Sequence, residues 1–201
     1  MRVRTAVLIS GRGSNLQALI EAAAAPDFPA EIVLVISNMP GAGGLEKAQA
    51  AGIPAKVVSH KGLPREVFDD AIDAALREAN VQIVCEAGFM RIHSEAFVRK
   101  WQGRIINIHP SLLPDFKGTH VHEQVLAAGV KTSGCTVHFM VPDLDAGPII
   151  AQENVPVLPD DTVDTLSARV LEAEHKLYPK ALRMVAEGKA KLLGERVIFR
   201  D

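Results

Sequence analysis

The middle of this chain reads Arg104-Ile-Ile-Asn-Ile-His-Pro-Ser-Leu-Leu-Pro-Asp115. Its β-branched isoleucines predict a buried strand, and because side chains alternate along a strand, Asn107 and His109 share one face. Pro110 favours an extended backbone at His109 and cannot continue the hydrogen-bond ladder, so the pair is expected at the carboxyl end of the strand. Ligands of open α/β sheets bind beyond that end, and we therefore expect the functional site there.

An amide and an imidazole two residues apart suit acyl transfer. The amide N–H groups of Asn107 can hold a developing oxyanion, and the imidazole of His109 can donate and release a proton. Spacing alone leaves a second interpretation open, in which both are structural polar residues with satisfied hydrogen bonds.

The composition predicts one globular domain. The 201 residues are 48% hydrophobic with 15 glycines and 12 prolines, and the formal net charge of -2 argues against a general nucleic-acid or membrane-surface partner. Cys85 and Cys135 form neither a disulfide scaffold nor a metal cluster by themselves, so buried reduced thiols are expected. The apolar run at residues 6–9 is too short for a secretory signal or a membrane span, and a cytoplasmic protein is predicted.

A glycine turn, Ser10-Gly-Arg-Gly13, follows the first predicted strand at residues 5–9. Apolar residues then recur at helical spacing, so the chain opens with a strand, a turn and a helix. Backbone N–H groups at such a helix start bind phosphate, and Ser14 or Asn15 is expected to cap the helix. A dinucleotide site fits less well because Leu16 replaces the third glycine of its fingerprint. A tight turn without a ligand stays open as the alternative.

Predicted strands and helices alternate along the rest of the chain, which implies a parallel sheet. We predict an α/β fold: a single-domain, Rossmann-like, open twisted, mostly parallel sheet with helices on both faces. Residues 132–140 and 149–157 read as strands joined by a short loop, so they are expected to be antiparallel neighbours towards the C-terminus. A long helix is predicted from Thr162 to near Gly188, followed by a short strand at residues 197–199.

His120 and His122 invite a metal hypothesis, which their spacing disfavours. Residues two apart do not share a helix face, and the other obvious ligands are only His109, His138 and Asp145. We predict no functional metal.

Five segments together resemble the folate-dependent formyltransferase superfamily over nearly the whole chain. They are residues 10–16, 107–114, Gly118, 134–138 and 143–149. The Gly-Ser-Asn turn and residues 169–179 point to the branch that acts on glycinamide ribonucleotide in purine synthesis. The chain departs from the family at His93, where a leucine is usual, and at Thr119 and Glu123, where many members carry an apolar and a basic residue.

The resemblance implies transfer of the formyl group of 10-formyltetrahydrofolate, as co-substrate, to the amine of glycinamide ribonucleotide. It implies that Asn107 and His109 hold the tetrahedral oxyanion, His109 gives the proton, and Asp145 keeps His109 protonated. The implied ribonucleotide-binding residues are Gly13, Ser14, Asn15, Leu171, Glu172, Ala173 and Glu174. The implied folate-binding residues are Arg65, Met90, Arg91, Ile92, His93, Asn107, Val141, Pro142, Asp143, Leu144 and Asp145.

The expected organisation is one formyltransferase domain, 1–201. Residues 1–103 are expected to form the phosphate- and ribonucleotide-binding half, and residues 104–201 the catalytic and folate-binding half. Small-molecule substrates are the expected partners, in a monomer or a homodimer.

Three other functions stay open. A transferase acting on charged initiator tRNA and a formyltetrahydrofolate hydrolase share the chemistry, but each is expected to carry an extra domain, for which this sequence leaves no room. A non-catalytic nucleotide-binding module is the third, and it predicts that Asn107, His109 and Asp145 lie scattered.

Overall fold

The computed structural model describes residues 1–201 and arranges them as a seven-stranded sheet with helices on both faces and a separate two-stranded hairpin. The strands are β1 (Val3–Ile9), β2 (Ala30–Ser37), β3 (Ala55–Val57), β4 (Ile83–Glu86), β5 (Ile105–His109), β6 (Thr132–Phe139), β7 (Ile149–Pro156), β8 (Ala190–Leu193) and β9 (Arg196–Phe199). The helices are α1 (Ser14–Ala23), α2 (Gly43–Ala50), α3 (Arg65–Glu78), α4 (Glu95–Lys100), α5 (Val121–Ala128) and α6 (Val163–Ala186).

The strand order across the large sheet is β3-β2-β1-β4-β5-β6-β7. Strands β1 to β5 are parallel, whereas β6 pairs antiparallel with both β5 and β7. This confirms the predicted α/β class and the antiparallel strands near the C-terminus. The chain leaves β1 towards β2 on one side and returns to β4 on the other, so the loops after β1 and β4 diverge and open a crevice at their carboxyl ends.

Helices cover both faces of the sheet, and each face therefore has its own apolar core. Leu16 of α1, Val125 of α5 and Val170 of α6 belong to the larger core. Phe68 of α3 and Phe97 of α4 belong to the smaller core on the other face. The strands are thus held on both sides, which gives the loops at their carboxyl ends a rigid base.

Tyr178 ties the long helix α6 to the centre of the sheet. Its side chain is fully buried, and its hydroxyl donates to the carbonyl of Glu86 at 2.7 Å and to that of Ile106 at 3.2 Å. These carbonyls belong to β4 and β5, so the helix is fixed against the two strands that carry the predicted site. No helix of the chain combines the length and the apolar character needed to cross a membrane.

Gly13 closes the turn after β1 and is the N-cap residue of α1. It has a left-handed backbone, with a φ of 75°, and a Cβ atom there would lie 2.7 Å from the Cα of Gly44. The turn therefore depends on close contact with α2 as well as on conformational freedom. The prediction that Ser14 or Asn15 caps this helix is wrong, because both lie inside its first turn and no side chain caps it.

Gly13→Ala is expected to lower the free energy of unfolding by about 1–3 kcal/mol, because the new Cβ strains a left-handed residue and meets α2. Urea unfolding followed by circular dichroism measures the change. Gly11→Ala is the matched control in the same turn, since no atom lies within 4 Å of the Cβ it would add. Equal stability of the two variants would contradict the role given to Gly13.

Candidate active site

A cleft of about 840 Å³ lies at the carboxyl edge of the sheet, between the loops that follow β1, β4, β5 and β6. Its lining residues are 11–15, 86–93, Val98, 107–110, 118–123, His138, 140–145, Val163, Ser167, Leu171 and Glu174. Most residues predicted from the sequence to act in the site are in this lining.

Asn107 is oriented by a histidine on the neighbouring strand. His138 of β6 pairs in register with Asn107 of β5, and its Nδ1 donates to the carbonyl of Phe139 at 2.9 Å. Burial lowers the pKa of His138, against the opposing effect of that carbonyl. The ring is therefore neutral, and its Nε2 accepts from the Asn107 amide at 3.5 Å. One amide N–H is used in this way and the other is left for a ligand.

His109 ends β5 and is 4% exposed. Its Nε2 lies 2.8 Å from the carbonyl oxygen of Phe116 and donates to it. The hydroxyl of Ser111 donates to the carbonyls of Asp115 at 2.6 Å and of Phe116 at 3.2 Å, which fixes the loop that carries this acceptor. Because Nε2 is bound to a backbone carbonyl, Nδ1 is the nitrogen left to exchange a proton with a ligand.

Asp145 approaches that nitrogen from the loop between β6 and β7. Its Oδ1 lies 3.6 Å from His109 Nδ1, and its Oδ2 accepts from the N–H of Gly118 at 2.8 Å. The two side chains are only 5% and 7% exposed. Asp145 has a φ of 50°, a conformation that is uncommon for a residue with a side chain and concentrates at functional sites. A separation of 3.6 Å is longer than a hydrogen bond, so the Nδ1 position stays available to a ligand in the cleft.

Asn107, His109 and Asp145 are thus brought together, and the scattered arrangement expected of a non-catalytic module is not found. The amide offers a donor for an oxyanion. The imidazole donates to the carbonyl of Phe116 through Nε2, and the carboxylate of Asp145 lies 3.6 Å from its Nδ1. The three side chains can therefore stabilise a tetrahedral oxyanion and deliver a proton.

The turn after β1 forms one end of the cleft, with Gly13, Ser14 and Asn15 in its lining beside Leu171. Asn15 and Glu174 are both buried there, at 9% and 8% exposure. Burial raises the pKa of Glu174 to about 7, although a hydrogen bond from Asn15 opposes the rise. This end offers free N–H groups at a helix start next to a carboxyl group that titrates near neutral pH.

The loop after β4 forms an apolar part of the cleft. Met90 and Ile92 are 69% and 56% exposed, and Leu144 from the loop after β6 is 57% exposed. The N–H of Met90 donates to the hydroxyl of Ser10 at 2.8 Å, so this loop is tied to the turn after β1. Exposed apolar side chains grouped in a cleft are typical of a binding surface for a flat ligand.

His93, which stands where the family usually has leucine, turns its side chain into the protein. The ring is 0% exposed and lies between two carboxylates, with Nδ1 2.6 Å from Asp69 Oδ1 and Nε2 2.6 Å from Glu86 Oε1. Burial disfavours the charged ring, but the carboxylates outweigh it and raise the pKa of His93 to about 9. Phe89 and Phe97 stack on the ring, at 5.2 and 4.2 Å between centroids. His93 therefore supports the loop after β4 from within.

Three predicted binding residues lie outside the cleft lining. Arg65 is exposed at the first position of α3, and Glu172 is exposed on α6. Ala173 packs against the larger core. Their binding roles remain predictions.

The sequence pattern predicts no role for Glu86, and it suggests His138 only as a candidate metal ligand. Glu86 is the one charge at the end of an apolar strand, a signal that could have been noticed. His138 follows Thr136 in the alternating pattern of β6, and both are buried.

The two histidines of the metal hypothesis have different surroundings. The side chain of His120 is 80% exposed and its Nδ1 lies 3.7 Å from Glu123 Oε1, whereas burial lowers the pKa of His122. No three His, Cys, Asp or Glu side chains are grouped so that they could hold a metal ion.

The parallel sheet, the crevice between the loops after β1 and β4, and the three converging side chains define a Rossmann-like protein with an acyl-transfer site. The chain belongs to the formyl transferase family, which it matches over residues 3–182.

The names of proteins similar to this chain fit the same family. The chain is 42% identical over 187 residues to phosphoribosylglycinamide formyltransferase of Escherichia coli, covering 92% of this chain and 88% of that protein. It is 59% identical over 192 residues to the trifunctional purine biosynthetic protein adenosine-3 of Bos taurus, but this match covers 95% of the chain and only 19% of the relative. The chain thus spans about a fifth of the trifunctional relatives. The crystal structure of glycinamide ribonucleotide transformylase 1 from Symbiobacterium toebii superposes with a TM-score of 0.96 at 44% identity, covering 100% of this chain and 95% of that one.

Proposed function

We propose that this chain transfers the formyl group of 10-formyltetrahydrofolate to the amine of glycinamide ribonucleotide in purine biosynthesis. The observation that carries the proposal is the convergence of Asn107, His109 and Asp145 in one cleft. The glycine turn after β1 lies at one end of that cleft, and the apolar loop after β4 forms another part of it. The names of the Escherichia coli and Symbiobacterium toebii relatives support the same reaction.

The reaction needs proximity, an oxyanion partner and a proton route, and no nucleophilic side chain. The amine nitrogen attacks the formyl carbon, and the resulting oxyanion accepts hydrogen bonds from the Asn107 amide and His109 Nδ1. The bond from carbon to the folate nitrogen N10 then breaks, and N10 takes the proton of His109. The proton lost by the attacking amine then returns the ring to its charged form, which Asp145 stabilises before and after the transfer.

The ribonucleotide is proposed to occupy the end of the cleft next to α1. Its phosphate binds the N–H groups of Gly13, Ser14 and Asn15, and its sugar hydroxyls donate to Glu174. Leu171, Glu172 and Ala173 complete the proposed set on α6.

The folate ring is proposed to occupy the apolar part of the cleft, against Met90, Ile92 and Leu144. Backbone groups of the loop after β4 are proposed to supply some of its polar partners, which is compatible with a buried side chain at His93. The remaining proposed folate contacts are Arg65, Arg91, Val141, Pro142 and Asp143, with Asn107 and Asp145 shared by both substrates.

The test is a product analysis. The purified chain is mixed with 10-formyltetrahydrofolate in the presence and absence of glycinamide ribonucleotide, and formylated ribonucleotide and free formate are quantified by mass spectrometry and NMR. We expect formylated ribonucleotide in one-to-one ratio with tetrahydrofolate. Formate released equally with and without the ribonucleotide would instead indicate a hydrolase, and ribonucleotide binding without turnover would indicate a binding module.

Binding of glycinamide ribonucleotide is expected to weaken as the pH falls below about 7, the pKa to which burial raises Glu174. A protonated carboxyl loses the charge that accepts the sugar hydroxyls, so affinity should fall by up to about tenfold for each further pH unit. Isothermal titration between pH 5.5 and 8.5 measures the effect.

Glu174→Gln should bind more weakly at pH 8 and lose most of this pH dependence. The phosphate of the ligand also titrates near pH 6, so the difference between parent and variant is the quantity to compare. Glu195→Gln, on an exposed turn between β8 and β9, is the control. Identical pH profiles for the parent and Glu174→Gln would remove Glu174 from the binding site.

The division into a ribonucleotide half at 1–103 and a catalytic and folate half at 104–201 remains a proposal, as do the monomeric or homodimeric state and a cytoplasmic location. Both halves contribute to the lining of the cleft.

A further inference from the structure

Glu86 places a carboxylate in a largely apolar wall of the cleft. It ends β4, next to Asn107 of β5, and is 4% exposed. Because side chains alternate along a strand, Glu86 lies on the same face as Val84, whose core is formed with α3 and α4. Phe89 and Met140 line the cleft together with it.

His93 and Asp69 hold Glu86 in place from behind. Glu86 Oε1 lies 2.6 Å from His93 Nε2, and Asp69 Oδ1 lies 2.6 Å from the other ring nitrogen. Asp69 Oδ2 in turn accepts from the N–H of Ser94 at 2.5 Å. A protonated ring between two carboxylates leaves one negative charge in excess, and a buried excess charge is costly unless it finds a further partner.

Only one oxygen of Glu86 is used within the chain. Oε1 is closed off from solvent beside His93, whereas Oε2 makes no hydrogen bond and keeps its contact with solvent in the cleft. We propose that Glu86 Oε2 accepts a hydrogen bond from an N–H donor of the folate ring, which makes Glu86 a specificity-determining residue for the formyl donor.

This inference rests on the proposed function, which puts the folate ring against the loop that His93 supports. A 2-amino-4-oxopyrimidine ring carries neighbouring N–H donors at N3 and at the 2-amino group, and a carboxylate is a strong acceptor for such donors. A ring that carries methyl in place of the amino group lacks one donor and leaves the carboxylate short of a partner. A carboxylate that served only to pair with His93 would gain nothing from an oxygen open to the cleft.

The test compares two probes by isothermal titration: 10-formyl-5,8-dideazafolate, which has the 2-amino-4-oxo ring, and its 2-desamino-2-methyl counterpart. The parent is expected to bind the 2-amino probe at least about tenfold more tightly, as expected for a hydrogen bond to a charged group. Glu86→Gln should reduce this ratio to near one. Its amide oxygen would face the protonated His93, so that the amide NH2 would point to the ligand and could not accept.

Glu86→Leu/His93→Leu/Asp69→Asn is a second variant, which removes the three buried charges together and leaves an amide oxygen that can still accept from the N–H of Ser94, so folding is expected. It should also lose the preference for the 2-amino probe. Glu95→Gln, at an exposed position on α4, is the matched control and should keep the parent ratio. Thermal unfolding of each variant accompanies the titrations.

The two ways of failing are distinguishable. Weaker binding of both probes with an unchanged ratio would make Glu86 a structural residue and overturn the inference. Formyl transfer from the 2-amino probe to glycinamide ribonucleotide by the parent is the separate measurement, and its absence would overturn the proposed function itself.

Discussion

Replacing His109 by asparagine is expected to lower kcat for formyl transfer by about 10²–10⁴-fold, the usual contribution of a general acid. Asparagine can still donate hydrogen bonds, but it cannot release a proton to the leaving folate nitrogen at neutral pH. Nε2 of His109 already donates to the carbonyl of Phe116 at 2.8 Å, so the loss falls on the proton at Nδ1. KM for the ribonucleotide should change little, because the proposed phosphate site is on the separate turn after β1.

Steady-state and single-turnover kinetics measure this loss, with circular dichroism as the check on folding. His60→Asn is the matched control, because His60 lies outside the cleft and its ring contacts Asn38 at 3.2 Å. If His109→Asn kept more than about a tenth of the parent rate, proton transfer by this ring would be ruled out as a main contribution.

The fold could be predicted from the sequence because its signals are local. The isoleucines around Asn107 indicate a strand, proline then ends it, and the short connection between β6 and β7 requires antiparallel pairing. The sequence pattern predicts the strand at residues 197–199, which corresponds to β9, but not its partner β8. β8 has four residues, Ala190–Leu193, and it pairs only with β9, so it lacks the apolar run of a strand in the large sheet.

The candidate site could be predicted only in part, because its contacts join residues distant in sequence. Alternation along one strand was enough to bring Asn107 and His109 together. Nothing local distinguishes Asp145 from Asp143, since acids are common in turns; the distinction comes from the contact with His109 and the N–H of Gly118. The pairing of His93 with two carboxylates could not be predicted from the sequence either, because Asp69 is on α3 and Glu86 is on β4.

Asp145→Asn is expected to lower kcat by about 10²–10⁴-fold, although the side chain keeps its shape. The N–H of Gly118 needs an acceptor, so the amide oxygen would turn towards Gly118 and the NH2 group towards His109. His109 Nδ1 would then have to accept a hydrogen bond, and the ring would hold its only proton on Nε2, bound to the carbonyl of Phe116. The donor needed by the oxyanion and the leaving nitrogen would be lost without any change in the fold.

The double variant His109→Asn/Asp145→Asn tests whether Asp145 acts through the ring of His109. If Asp145 acts through the ring of His109, the double variant should be about as slow as His109→Asn alone, because side chains that act as a unit give non-additive losses. Asp160→Asn, at an exposed position before α6, is the control and should leave kcat unchanged. Fully multiplicative losses in the double variant would mean that Asp145 acts on the substrates independently of His109, and full activity of Asp145→Asn would remove it from the mechanism.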